Sequence, residues 1–261
     1  MKVGFLQFEP IFGAKEHNVD RVESLIDGAD SDLIVLPELF NTGYLFRDRG
    51  ELFDLSEDLN GRCIGRLKSI AQRNNFAIVA GFAERCGDKL FNAQIFVKAD
   101  GSLHLYRKIH LFNLEKLVFD QGDIMPEIVE YRGARFGMLV CFDWLFPEIY
   151  RRYALLGADV ICHSTNLVLP YCQRASFTRA IENCMYIVIS NRIGTEKKND
   201  NVLTFTGGSI IYSPKGDVLS CVDEKSEILS IAEIDIISSR DKFITERNHL
   251  LNDRRPEMYG L

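Results

Sequence analysis

Long apolar runs are missing from this chain of 261 residues. None approaches the ~18 consecutive apolar residues of a membrane-spanning helix, so no membrane partner is expected. A basic leader followed by an apolar core is missing too: Met1-Lys2-Val3-Gly4-Phe5 runs straight into strand-like sequence, and no secretory signal is expected. Excess positive charge is absent. With 31 Lys and Arg against 37 Asp and Glu, the net charge of −6 argues against a nucleic-acid partner. The seven cysteines are odd in number and no pair has CxxC spacing, which excludes a simple disulfide framework or a zinc knuckle. Scattered thiols without a leader point to a reducing cytoplasm. His104, His110 and His163 show no ligand spacing, so no metal and no cofactor is expected, and His110 reads as a hydrogen-bonded structural histidine. There is no P-loop, no GxGxxG, no GxSxG and no conspicuous Ser-His-Asp set. Gly207-Gly208 before Ser209 reads as a bend into a strand. No linker, repeat or low-complexity tract interrupts the chain, and one domain spanning residues 1–261 is the economical reading.

What is present is a succession of short apolar runs. Val3–Phe8, Leu33–Leu36, Ala77–Phe82, Ala93–Val97, Phe136–Phe142, Val160–His163, Tyr186–Ser190, Ser209–Tyr212 and Ile228–Ile234 are rich in Val, Ile and Phe and read as strands. Their continuous apolarity implies burial on both faces. Between them, Val19, Val22, Leu25 and Ile26 share one helical face, with Gly28 as a stop, and Ile64, Leu67, Ile70 and Ala71 share another. Two later helices are expected after Pro147 and near Arg174. Alternating strands and helices predict an α/β protein whose sheets are covered by helices.

Four places could carry chemistry. In Leu33–Pro37 a buried strand runs into a proline that cannot continue a central ladder, and Glu38 emerges at its end beside Phe40. Partial desolvation there would make the carboxylate a better base; a solvated loop glutamate is the plain alternative. In Tyr106–Phe112, alternation puts Tyr106, Lys108 and His110 on one face, where Lys108 is either a fixed positive charge or part of a basic edge strand. In Arg135–Glu148 a hydrophobic strand ends at Cys141 and a helix opens at Pro147. A thiol at such a turn can be a nucleophile with backbone N–H groups facing a developing oxyanion; a buried core thiol, as expected for Cys162, Cys184 and Cys221, is the alternative. Glu115 could support Lys108 or sit in an exposed ion pair.

Leu36-Pro37-Glu38, Tyr106-Arg107-Lys108-Ile109-His110-Leu111 and Cys141-Phe142-Asp143-Trp144-Leu145-Phe146-Pro147-Glu148 occur in that order, and in this the chain resembles the nitrilase superfamily of carbon–nitrogen hydrolases. Phe119 and Gly122 after Glu115, Arg179–Asn183, Asn191-Arg192-Ile193-Gly194, and Gly208-Ser209 with Pro214-Lys215-Gly216 extend the similarity over nearly the whole chain. The resemblance implies a four-layer α-β-β-α sandwich. It also implies pairing into a homodimer or higher oligomer through the helix after the nucleophile, the helix near 174–184 and the C-terminal segment, so the tail Asp253–Leu261 is either a frayed end or a docking arm. It implies that Glu38 is the base, Cys141 the nucleophile, Lys108 and the Phe142 backbone N–H the oxyanion donors, and Glu115 the support of Lys108.

The expected reaction is hydrolysis of a small aliphatic amide through a thioester, without metal or organic cofactor. Carbamoyl-amine hydrolysis and nitrile hydrolysis are the alternatives. True nitrilases of this superfamily usually carry Trp and Glu directly after the nucleophile, where this chain has Phe142 and Asp143. An idle homologue that only binds a metabolite or partner would have lost Glu38, Lys108 or Cys141, and all three are present. Tyr44, Trp144, Asn166 and Tyr171 are expected to line the substrate pocket, and Arg174 to meet a substrate carboxylate or to lie exposed on its helix.

Overall fold

The computed structural model describes residues 1–198 and 200–260. The chain opens with β1 (Lys2–Gln7), β2 (Leu33–Val35), β3 (Ala77–Cys86), β4 (Lys89–Val97) and β5 (Leu103–Arg107). It continues with β6 (Val129–Tyr131), β7 (Ala134–Val140), β8 (Val160–Thr165) and β9 (Tyr186–Asn191). A hairpin of β10 (Thr195–Lys198) and β11 (Asn201–Thr204) follows, then β12 (Ile210–Tyr212), β13 (Val218–Cys221) and β14 (Ile228–Glu233). One six-stranded sheet runs β14-β1-β2-β3-β4-β5 and the other β13-β12-β9-β8-β7-β6. In each, three central strands are parallel and the flanking ones antiparallel.

The two sheets lie face to face, with β1 over β9, β3 over β8 and β4 over β7. The period-two alternation of strands sorts their side chains. Val3, Phe5, Leu33, Val35, Ala77 and Val79 point into the space between the sheets, where they meet Phe136, Met138, Val140, Val160 and Val188. The alternate residues Leu6, Phe8, Ile34, Leu36, Ile78 and Ala80 point outward onto Val19, Val22, Ile26, Ile64, Leu67 and Ile70. These last belong to the helices Lys15–Ile26 and Arg62–Asn74, the helical faces expected from sequence. Helices Pro147–Leu155 and Cys172–Asn183 cover the far side of the second sheet. The result is the four-layer α-β-β-α sandwich. Hydroxyls stitch its middle: Ser164 Oγ donates to the Leu36 carbonyl and Ser190 Oγ to the Leu6 carbonyl, both at 2.7 Å. Among the described residues no helix is long and apolar enough to cross a membrane.

Some boundaries differ from the sequence reading. The strand expected over Phe136–Phe142 stops at Val140, because Cys141 adopts φ +43 and turns the chain into a 3₁₀ turn, Cys141–Leu145. Lys108 lies one residue beyond β5, not within it. Cys162 and Cys184 are buried as expected, but Cys221 is exposed; it ends the edge strand β13, whose side chains are mostly in solvent. In the tail, Pro256–Tyr259 form one exposed helical turn, and Leu261 lies outside the described residues.

Gly137 on β7 sets how closely the helix Pro147–Leu155 can approach. A methyl group there would stand 2.7 Å from the Tyr153 ring and 2.6 Å from Ile161 Cδ1, while the Tyr153 hydroxyl anchors the ring on the Met138 carbonyl at 2.8 Å. Gly137→Ala is expected to destabilise the fold by about 1–3 kcal/mol through overpacking, seen as a lower denaturant midpoint. An unchanged midpoint would show that helix and sheet have slack at this crossing.

Candidate active site

The Glu38 segment is shaped by what lies beneath it. Leu36 still reaches the ladder, its N–H donating to the Val79 carbonyl at 2.7 Å, and then Pro37 leaves it. The chain crosses directly over Gly81, where a Cβ would lie 2.5 Å from Glu38 Cα. Only glycine permits that approach. The Gly81 N–H to the Pro37 carbonyl and the Phe40 N–H to the Gly81 carbonyl clamp the crossing on both sides. Glu38 is thereby wholly buried.

Lys108 arrives from the end of β5, its N–H on the Asn92 carbonyl at 2.8 Å. Its carbonyl accepts from Gly122, another close approach, since a Cβ at Gly122 would meet the Arg107 carbonyl at 2.3 Å. The ammonium is fully buried and donates to Glu38 Oε1 at 2.7 Å and to Glu115 Oε1 at 2.8 Å. Glu115 opens the short helix Glu115–Val118. Its Oε1 also accepts from the Tyr44 hydroxyl at 2.7 Å and its Oε2 from the Phe112 N–H at 3.1 Å. Asn92 Nδ2 donates to Glu38 Oε1 at 2.7 Å, whereas the buried Glu38 Oε2 has no protein partner. One oxygen of the carboxylate is thus held while the other has no partner.

Cys141 sits at the end of β7 in a backbone conformation that non-glycine residues seldom adopt. Neighbouring groups over-determine it. Asp143, wholly buried, accepts from the Val140 N–H at 2.9 Å and the Tyr106 hydroxyl at 2.8 Å through Oδ2. Its Oδ1 takes the His110 N–H and Nδ1, the latter at 2.7 Å. On the other side His163 Nε2 lies 3.0 Å from the Cys141 carbonyl, and the Tyr150 hydroxyl 3.3 Å from His163 Nδ1. A carbonyl only accepts, so Nε2 carries the proton and Nδ1 receives one from Tyr150.

Burial dominates the electrostatics. It raises the Glu38 carboxyl above the usual glutamate range; Lys108 opposes this and the Glu115 charge adds to it. Burial works against the charge of Lys108, yet Glu115 and Glu38 outweigh it and hold the ammonium more firmly protonated than a free lysine. Burial also pushes the Cys141 thiol well up, as does Glu38, with Lys108 and the Asn166 amide pulling the other way. The arrangement is a protonated thiol and a carboxylate of raised proton affinity around a permanent cation. Proton transfer from sulfur to carboxylate, followed by attack of the sulfur on an electrophile, is the chemistry it can perform.

A cavity of about 20 Å³ opens over Cys141, lined by Phe112, Phe142, Trp144, Asn166, Leu167 and Leu169. That volume holds about one water molecule. Trp144 and Asn166 both stand on the cavity wall. Asn166 is buried with both side-chain amide atoms unpartnered. Tyr44 reaches the site through Glu115 and does not line the cavity. Tyr171 and Arg174 do not line it either. Cys172, Ser176, Ala180 and Asn183 form the buried face of their helix, Arg174 points away from that face, and Tyr171 is 53% exposed at the helix start. Arg174 borders a separate cleft with Gln173, Phe205 and Glu9. Sequence reasoning missed Asn92, Asp143 and His163 as supports. Asp143 lay inside a quoted motif, but nothing local shows that Tyr106 and His110 would converge on it. Among the described residues no group of three or more His, Cys, Asp or Glu side chains is arranged to hold a metal ion.

Comparison with known proteins agrees with this geometry. The family model described as carbon-nitrogen hydrolase matches residues 2–241. A protein of Pyrococcus abyssi named as a nitrilase is 41% identical over 263 residues, covering 99% of each chain. An (R)-stereoselective amidase of a Pseudomonas species is 31% identical over 265 residues, covering 100% of this chain and 93% of its own. The crystal structure of a carbon–nitrogen hydrolase from Helicobacter pylori superposes with a TM-score of 0.87 at 25% identity, covering 100% of this chain and 97% of the other.

His163 makes acid stability a readout of the Cys141 turn. Burial lowers its pKa from 6.5 to about 4. The unfolded chain therefore binds the extra proton first as pH falls, so the stability held by neutral His163 is complete above pH 6.5 and is lost between 6.5 and about 4. That shift corresponds to about 3 kcal/mol. His163→Gln is expected to flatten the stability–pH curve in that window, as measured by denaturant melts at pH 7 and pH 4.5. Parallel curves for the two proteins would place the ring in water and not in the core.

Proposed function

The chain belongs to the carbon–nitrogen hydrolase family of the nitrilase superfamily, and from that premise we propose that it hydrolyses the C–N bond of a small aliphatic amide with Cys141 as nucleophile. The observation that carries the reading is the division of labour at Glu38: Oε1 is fixed by Lys108 and Asn92, and Oε2 is buried and unpartnered.

Glu38 Oε2 takes the proton from Cys141 Sγ as the sulfur attacks the carbonyl carbon, forming a C–S bond and an oxyanion. The Lys108 ammonium and the Phe142 backbone N–H stabilise that oxyanion. Glu38 returns the proton to the departing nitrogen, the C–N bond breaks, and ammonia leaves a thioester. Water, deprotonated by Glu38, adds to the thioester. The C–S bond then breaks, the thiolate recovers its proton, and the carboxylic acid is released. Because the resting thiol is held protonated by burial, the base is needed at the moment of attack. Glu115 keeps Lys108 charged and in place. The narrow cavity with Trp144 and Asn166 on its wall favours short substrates. Nitrile hydrolysis at the same thiol is the second reading, favoured by the name of the Pyrococcus abyssi relative.

Two experiments test this. Ammonia release is measured from short amides, dicarboxylic monoamides, carbamoyl compounds and nitriles, with Cys141→Ala as control. Release from short amides that disappears in Cys141→Ala is expected. Release from nitriles alone would move the assignment to the second reading, and release by Cys141→Ala would remove the thiol from the mechanism. The pH profile tests the base. Glu38 must be ionised, so kcat/KM falls as pH drops through its raised pKa, and the Glu115 charge is one cause of that elevation. Glu115→Gln should therefore shift the acid limb to lower pH while reducing the maximum. A limb that stays put or moves upward would show that Glu38 does not govern it.

A further inference from the structure

Away from the reacting atoms, the interior holds a second buried ion pair. Arg192, with none of its surface exposed, donates to Glu196 Oε1, and Glu196 is only 7% exposed. Burying both charges forfeits the hydration each ion has in water. The partners these two groups take indicate what the pair does. Arg192 lies over the Phe205 ring, its Cζ 4.0 Å from the centroid, and its other guanidinium nitrogens donate to the Pro10 and Ile193 carbonyls. Glu196, on β10, turns its carboxylate to a single loop: Oε2 accepts from the Tyr44 N–H at 3.0 Å and the Leu45 N–H at 2.8 Å, and Oε1 lies 3.1 Å from the Tyr44 N–H. The loop is wrapped around the carboxylate closely enough that a Cβ on Gly43, at φ +80, would stand 2.8 Å from Glu196 Oε1.

Tyr44 is the residue whose hydroxyl donates to Glu115 Oε1, the same oxygen that receives Lys108. Its ring leans edge-on against Phe205, centroids 6.0 Å apart, and Phe205 is the ring under Arg192. Glu196 thus fixes the backbone root of Tyr44, the Arg192–Phe205 stack fixes its flank, and Glu115 receives its tip.

We propose that Glu196 is a positioning residue for the Cys141 site, acting through Tyr44 on Glu115 and hence on Lys108, with Arg192 holding its carboxylate to that task. A hairpin otherwise outside both main sheets would then set the aim of the buried ammonium. The proposal rests on the hydrolase reading above, in which Lys108 stabilises the oxyanion.

The test is a double-mutant cycle on hydrolysis of the best substrate from the panel. Glu196→Ala is expected to lower kcat roughly 10²-fold, the loss typical of a small misplacement of catalytic groups, with KM little changed. In the Tyr44→Phe background, which has already lost the hydroxyl link, Glu196→Ala should add little further loss. Glu196→Gln keeps an oxygen for the two N–H groups and should recover most of kcat. Losses that multiply in the double variant, or a Glu196→Ala enzyme with wild-type kcat, would overturn the proposal. If Glu196→Ala does not fold, the cycle is run with Glu196→Gln, whose smaller loss must likewise vanish beside Tyr44→Phe. Activity surviving in Cys141→Ala would instead defeat the nucleophile assignment, and the cycle would still report whether Glu196 works through Tyr44.

Discussion

One ammonium, shut away from water between two carboxylates, is the constraint around which the site is built. Lys108 touches Glu38 and Glu115 through a single oxygen of each. Such a triad is a poor source of stability, since each buried ion forfeits roughly several kcal/mol of hydration. Holding it takes much of the surrounding architecture. Glycines at 81 and 122 let backbone segments approach where any Cβ would collide. Asn92 serves both neighbours, its carbonyl taking the Lys108 N–H and its side chain the Glu38 carboxylate. The remaining Glu115 oxygen is satisfied by a loop N–H. The surrounding fold bears the free energy of that cluster, and in exchange the cluster keeps a fixed positive charge beside a buried thiol.

The thiol has its own scaffold in the opposite sheet. Asp143 and His163 grip the turn from both sides, one through N–H and hydroxyl donors and the other through the Cys141 carbonyl. A left-handed φ at a cysteine persists only where its surroundings insist on it, and here they do. The two scaffolds come together because the sheets stack with β3 over β8 and β4 over β7.

Much of this was legible in the sequence because burial writes itself plainly. Strands with both faces covered read as unbroken apolar runs, so Val3–Phe8, Ala77–Phe82 and Tyr186–Ser190 could be placed without ambiguity. Glu38 and Cys141 stand out as polar or reactive residues where such runs stop. The strand ends were less legible: the run through Phe142 gives no sign that the backbone inverts at Cys141. Contacts across the chain left no local trace. That Tyr106 and His110 meet at Asp143, or that Glu196 accepts from Tyr44 and Leu45, depends on how distant segments pack. Of the two readings of Arg174 the structure shows the exposed one, and Tyr171 is exposed beside it. Their chemistry suited a substrate, but the phase of the helix Cys172–Asn183, set by Cys172, Ser176, Ala180 and Asn183, turns Arg174 outward. Cys221 misled for a related reason, since an edge strand does not bury what a central one would.

The stacking of the sheets also has a temporal side. Glu38 and Lys108, 70 residues apart, follow strands of the first sheet, and Cys141 follows a strand of the second. Contacts of such long sequence separation form late, after the chain has met the entropy of closing the loops between them. Until the sheets dock, the thiol belongs to a partly folded chain, with neither Glu38 nor Lys108 beside it. The thiol therefore meets the two carboxylates and the ammonium only when the sheets dock, and its burial comes with that docking.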